Sequence, residues 1–200
     1  SDIRVTTTGG PAVQFSTNAG LVASVAGATL TAAGGSALSI TSATASSAFA
    51  VTHAAGTSTT DRALSCQTLT DSSLAVSGSS FTGDLSGVTT SGADLKALSN
   101  SAVSFAHSTF TSGSFHGVRA EGVQAASSVS VSNCALVGRN SHGIYLTTMG
   151  GGSSFAISDS AASTNTNDAI SIKSVTGSTV SVANTTATGG ANALLVSNTD

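Results

Sequence analysis

The chain holds 200 residues with a formal net charge of −3, of which 8% are charged, 4% aromatic and none Trp. So few cations, in no basic stripe, exclude a nucleic-acid partner, and no apolar run approaches the ~20 residues of a membrane helix. A 40% apolar content of regularly spaced Val, Ile, Leu and Phe excludes a disordered Ser/Thr-rich stalk.

Two phrases recur along the chain. Val129-Ser-Val-Ser-Asn-Cys-Ala-Leu136 returns as Phe155-Ala-Ile-Ser-Asp-Ser-Ala-Ala162 and again as Val180-Ser-Val-Ala-Asn-Thr-Thr-Ala187, while Ser141-His-Gly-Ile-Tyr-Leu146 returns as Asn167-Asp-Ala-Ile-Ser-Ile172. Such a period is the signature of a solenoid. We number each repeat from the first apolar residue of its first phrase, position 0. The template is then apolar at 0, 2 and 7, small at 5, and apolar again at 15, 17 and about 20.

In chain order, residues 1–22 read as a partial first coil, with Val5 at position 7 and Val13 and Phe15 in the second phrase. Position 0 then falls at Ala23, Phe49, Leu74, Val103, Val129, Phe155 and Val180, with gaps of 26, 25, 29, 26, 26 and 25. The second phrase opens at Leu38, Leu64, Val118, Ile144 and Ile170, and one residue early at Val88 and Leu194; its third apolar position holds Ala43, Leu69, Val123, Met149 and Val175. Apolar residues two apart share one face of a strand. Three short strands per coil, parted by Gly, Ser, Asn or Thr corners, predict an all-β, single-domain β-solenoid of about seven coils over 1–200, with parallel sheets ~4.8 Å per rung. The longer fourth coil predicts an outward loop at 91–98; a second alignment puts Leu95 in the second phrase and the extra residues before it.

These phrases resemble the degenerate repeats of right-handed parallel β-helix proteins: pectin-lyase-like enzymes, phage tailspikes and autotransporter adhesin passengers. The resemblance covers essentially the whole chain. With the handedness rule for parallel crossovers, it implies a right-handed coil. It also implies a cluster of Asp with Arg or Lys if the chain is a polysaccharide lyase or hydrolase. Here Asp61, Asp71, Asp84, Asp94, Glu121, Asp159 and Asp168 scatter over different columns, so no catalytic residue is assigned and no enzyme expected.

Residues one period apart form columns. Position 4 reads Gly27, His53, Gly78, His107, Asn133, Asp159 and Asn184, which predicts left-handed corners and makes His53 and His107 turn residues. Position 5 reads Ala28, Ala54, Ser79, Ser108, Cys134, Ser160 and Thr185, a small inward stack. Cys134 there and Cys66 in the second phrase lie three coils, or ~14 Å, apart, beyond the ~7 Å a disulfide spans; two buried free thiols are expected. Position 1 (Ser24, Ala50, Ala75, Ser104, Ser130, Ala156, Ser181) predicts a flat, nearly uncharged face.

Two residues before the second phrase stand Arg62, Ser86, His116, His142, Asp168 and Asn192. With Arg119, Glu121, Tyr145 and Lys173 on the adjoining outward strand, His116, His142 and Asp168 form the candidate ligand site, since imidazoles beside carboxylates can bind or move protons. The simpler expectation is a row of unrelated corner residues. No metal, cofactor or phosphate-loop motif is expected.

No polar terminal repeat is apparent, and bare β edges attract another edge. Ile3, Val5, Val13 and Phe15 at one end and Val180, Val182, Leu194 and Val196 at the other are therefore the expected assembly interface. The partner is either a second copy stacked head-to-tail into a filament or neighbouring repeats of a longer chain. The hydroxyl-rich composition and the Asn184-Thr-Thr186 acceptor pattern point to an extracellular, cell-surface structural protein, a filament subunit or adhesin stalk. The alternative is a carbohydrate-binding or carbohydrate-active β-helix with glycan partners.

Overall fold

A computed structural model of the chain describes residues 3–83 and 90–199. Val129, Phe155 and Val180 lie in direct parallel register, as do Ile144 and Ile170. The chain winds into a parallel β-solenoid of three sheets, with no helix among the described residues. Sheet C carries the first phrase, from Val22–Ala26 to Thr179–Ala183; sheet A carries position 7, from Ile3–Thr7 to Thr186–Thr188; sheet B carries the second phrase, from Val13–Ala19 to Leu194–Thr199.

Alternation decides what goes inside. On the first-phrase strand Ser128–Ser132, Val129 and Val131 are buried while Ser128 and Ser130 face water. Every residue at position 4 has φ between 47° and 58°, His53 and His107 included, so these corners are left-handed as the Gly/Asn column predicts. The second phrase bends at another left-handed residue, Ser42, Ala97, Gly122, Thr148 or Ser174. That bend returns the third apolar residue to the interior.

The fourth coil follows the alignment on Leu95. Ala93–Ser99 is a sheet B strand, with Leu95 opposite Cys66 and Ala120 and Leu98 opposite Leu69 and Val123. The expected loop over 91–98 is therefore wrong for this strand. The extra residues precede it: Gly83 to Ala93 spans 10 positions where the paired Ser112 to Val118 spans 6. Val88 and Ser86 lie outside the described residues, and Ser91 takes the place two before the strand. Val88 misled because it is the nearer β-branched residue, whereas Ala93 fills the inward slot.

Inside, size is traded between rungs. A Cβ on Gly56 would stand 2.4 Å from Cδ1 of Phe81, so the missing side chain makes room for that ring, which stacks on Phe110 at 5.9 Å. Serines that composition suggests are surface residues are instead structural. The buried Ser72, Ser101, Ser127 and Ser153 form a ladder in which the Oγ of Ser101 accepts the Ser72 N–H at 3.1 Å and donates to the Ser99 carbonyl at 2.8 Å; Ser127 accepts the Ser101 N–H in turn, and Ser153 the Ser127 N–H. A parallel ladder at position 5 passes through Ser79, Ser108 and Ser160, with Cys134 taking one rung.

Each rung of these ladders closes a buried N–H that would otherwise be orphaned. Ser101→Ala is expected to cost about 1–3 kcal/mol, read as a lower urea midpoint. The exposed Ser130→Ala should stay within about 0.5 kcal/mol.

Cys66 and Cys134 are both free and buried, on separate coils. Burial pushes both thiols up, for Cys66 with the nearby Asp94 charge adding to it, so neither offers a thiolate. A thiol-disulfide colour reagent should find no reactive thiol in the folded chain and two in denaturant; fast native labelling would contradict this packing.

Candidate functional site

The charges of this sparsely charged chain gather on the outer face of sheet B and the corner that leads into it. Four of its six Lys and Arg stand there, Arg62, Lys96, Arg119 and Lys173. Register explains the gathering: Asp94 lies opposite Arg119 and Lys96 opposite Glu121, then Arg119 opposite Tyr145, Tyr145 opposite Ser171, and Thr147 opposite Lys173. Arg62 Nε holds the Asp94 carboxylate at 2.5 Å, and Asp94 is almost fully buried. Arg119 pairs with Glu121 through Nη2.

The corner histidines are fixed by the glycines after them. A Cβ on Gly117 would stand 2.7 Å from the Gly143 carbonyl and the Val137 amide, and one on Gly143 would stand 2.8 Å from the Ser163 amide. Only glycine lets the corner press so close to sheet A. The parallel register of the strands that follow, Val118 opposite Ile144, sets His116 and His142 one above the other.

The two imidazoles stack at 5.3 Å and 8°, and Tyr145 lies parallel to both, 4.7 Å from His116 and 5.2 Å from His142. Phe115 packs on His116 at 3.8 Å, and Lys173 Nζ sits 5.6 Å from the centre of the Tyr145 ring. His142 Nδ1 bonds the Asp168 backbone carbonyl at 2.9 Å and therefore donates, while the backbone N–H of His142 donates to His116 Nδ1 at 3.4 Å. These bonds place the His142 proton on Nδ1 and the His116 proton on Nε2. Asn192 Nδ2 donates to Asp168 Oδ1 at 2.6 Å.

Five of the seven expected ligand-site residues, His116, Arg119, His142, Tyr145 and Lys173, line one groove of about 480 Å³, joined by Phe115 and Ser141. Glu121 is engaged by Arg119, and Asp168 lies under His142; neither lines the groove. Phe115, Ser141, Asp94 and Lys96 were not singled out. For the last two the opposite signs of Asp94-x-Lys96 and Arg119-x-Glu121 were the available signal. No group of three or more His, Cys, Asp or Glu among the described residues could hold a metal ion.

Sheet A carries another column, at position 8: Thr6, Thr31, Thr57, Thr82 and Thr111 in successive register. At the open ends, Ile3, Val182, Leu194 and Val196 are exposed and Val5, Val13, Phe15 and Val180 half-buried. Ile172, Val175, Ser178, Val180, Val182, Leu194 and Val196 line an apolar hollow of about 370 Å³. No family model, curated protein or solved structure matches the chain.

Burial lowers His116 to about 3, helped by His142, Arg119 and Lys173. Burial also lowers His142, against the opposing pull of Asp168. The unfolded chain takes up these protons near the ordinary value of 6.5, whereas folded His116 resists until about 3. The stability tied to these rings is thus present above pH 6.5 and drains as the pH falls through the window below it. The urea midpoint is expected to fall on acidification, and less steeply in His116→Gln. Equal slopes in the two proteins would contradict the burial of a neutral ring.

Proposed function

We propose that the chain is a structural β-solenoid of an extracellular surface assembly, whose end coils stack head-to-tail on a second copy into a filament. The observation that carries this reading is the row of inward apolar side chains exposed on the first and last coils of the described residues. Ile3 is 58% exposed, Val196 51%, Leu194 46% and Val182 38%. One end continues the three sheets in the direction the other begins them, and both present parallel strand edges with inward aliphatic residues. Unpaired edges above an open apolar core favour strand addition by an identical lattice. A non-closing contact of this kind propagates. The fold also supports use as the stalk of an adhesin, in the manner of the passenger domains the repeats resemble.

Electron microscopy and sedimentation of the purified chain test the reading. Rods growing with concentration, with an axial repeat of about 38 Å for the eight rungs of sheets A and B, are expected, and Val182→Asp with Val196→Asp should shorten them to single subunits. Monodisperse subunits at every concentration would end the self-stacking proposal.

A second reading, a carbohydrate-binding solenoid, is favoured by one observation. The groove on sheet B brings aromatic rings and polar groups from three rungs into a single lining.

A further inference from the structure

We infer that the sheet B groove takes a saccharide bearing a sulfate ester, anchored by Lys173; this rests on the carbohydrate-binding reading above. The groove's size falls in the ordinary range for small-ligand sites, and its lining contains cations and donors but no carboxylate. Arg119 pairs with Glu121, whereas Lys173 has no acidic partner within ion-pair distance among the described residues and its ammonium lies over the Tyr145 ring. Its charge is the one the groove leaves unanswered.

His116 is 3% exposed and His142 9%, yet each lines the groove. Their Nδ1 atoms are consumed by the ladder, which leaves both Nε2 atoms without a hydrogen-bond partner among the described residues. By the tautomers above, Nε2 of His116 is a donor and Nε2 of His142 an acceptor. The Tyr145 hydroxyl adds a group of either kind. These groups are held rigidly, since the three rings lie within 11° of parallel. Pre-organised polar groups beside a fixed ring wall lower the ordering cost of a ligand.

The anion's shape follows from which cation is free. A carboxylate is best met by the two-pronged guanidinium fork; Arg119 holds Glu121 through Nη2 and its Nε is buried, so it offers no free fork to a ligand in the groove. Lys173 is a compact point charge, suited to an oxyanion that takes donors from several directions. A sulfate ester can accept from Lys173 Nζ, His116 Nε2–H and the Tyr145 hydroxyl, while sugar hydroxyls donate to His142 Nε2.

Calorimetric titration of the whole chain with a sulfated disaccharide, its desulfated form and a uronate-bearing disaccharide tests the inference. The sulfated sugar should bind, the other two about tenfold or more weakly. Lys173→Met should lose about tenfold, the worth of one charge-assisted hydrogen bond, with its thermal midpoint unchanged and Lys96→Met as an inert control. Equal binding of neutral or uronate sugars, or an unaffected Lys173→Met, overturns the sulfate assignment and leaves carbohydrate binding standing. Binding of no sugar at all overturns both.

Discussion

Backbone hydrogen bonding between successive coils is the constraint from which the rest follows. In a parallel ladder each coil bonds the coil above and the coil below through alternate residues, so every residue of a column must accept the same backbone angles and the same side of the sheet. Position 4 shows what this demands. Gly27, His53, Asn133 and Asp159 share little chemistry, yet all sit at positive φ because the corner geometry is inherited from rung to rung. A corner that failed to turn there would shift its strand by one residue and send the apolar set to water.

Composition follows from the same constraint. A triangular coil with short sides has a narrow interior, so a large ring on one rung needs a small partner on the next, as Gly56 yields to Phe81. The corners bury backbone N–H groups that no strand can reach, and a hydroxyl is the smallest side chain that answers one while donating to a carbonyl. Ser101 and its column neighbours do this with charge-free groups. A chain rich in Ser and Gly and poor in charge is what such an interior requires.

Most of this was legible in the sequence because the period is a physical distance. The columns at positions 0, 4 and 5 could be read from spacing alone, and the free thiols followed from counting coils. The fourth coil was less legible. Two apolar patterns, one through Val88 and one through Leu95, satisfied the alternation equally, and only the pairing of Asp94 with Arg119 and Lys96 with Glu121 separates them. Position 5 was legible as a small inward stack, but its hydrogen bonding and the second serine ladder through Ser101 were not, because a hydroxyl in a column looks the same whether it faces water or a buried amide. The groove was half read: the column of His116, His142 and Asp168 was visible, but the near-parallel ring packing depends on side-chain angles that spacing does not fix.

The ladder also explains why a site can sit in the middle of such a repetitive body. Each coil touches only its neighbours, so departures from the template are felt over one or two rungs and the rest of the solenoid remains undisturbed. His116, His142 and Asp168 depart together on three consecutive rungs, and each satisfies the next through a ring nitrogen or a backbone carbonyl. A lone buried imidazole on such a corner would have to find a partner in a column of small residues. The three in succession supply one another, and in doing so the two imidazoles use up their Nδ1 atoms while both rings line the groove. Structural satisfaction along the axis and chemical availability across it are therefore the same arrangement viewed from two directions.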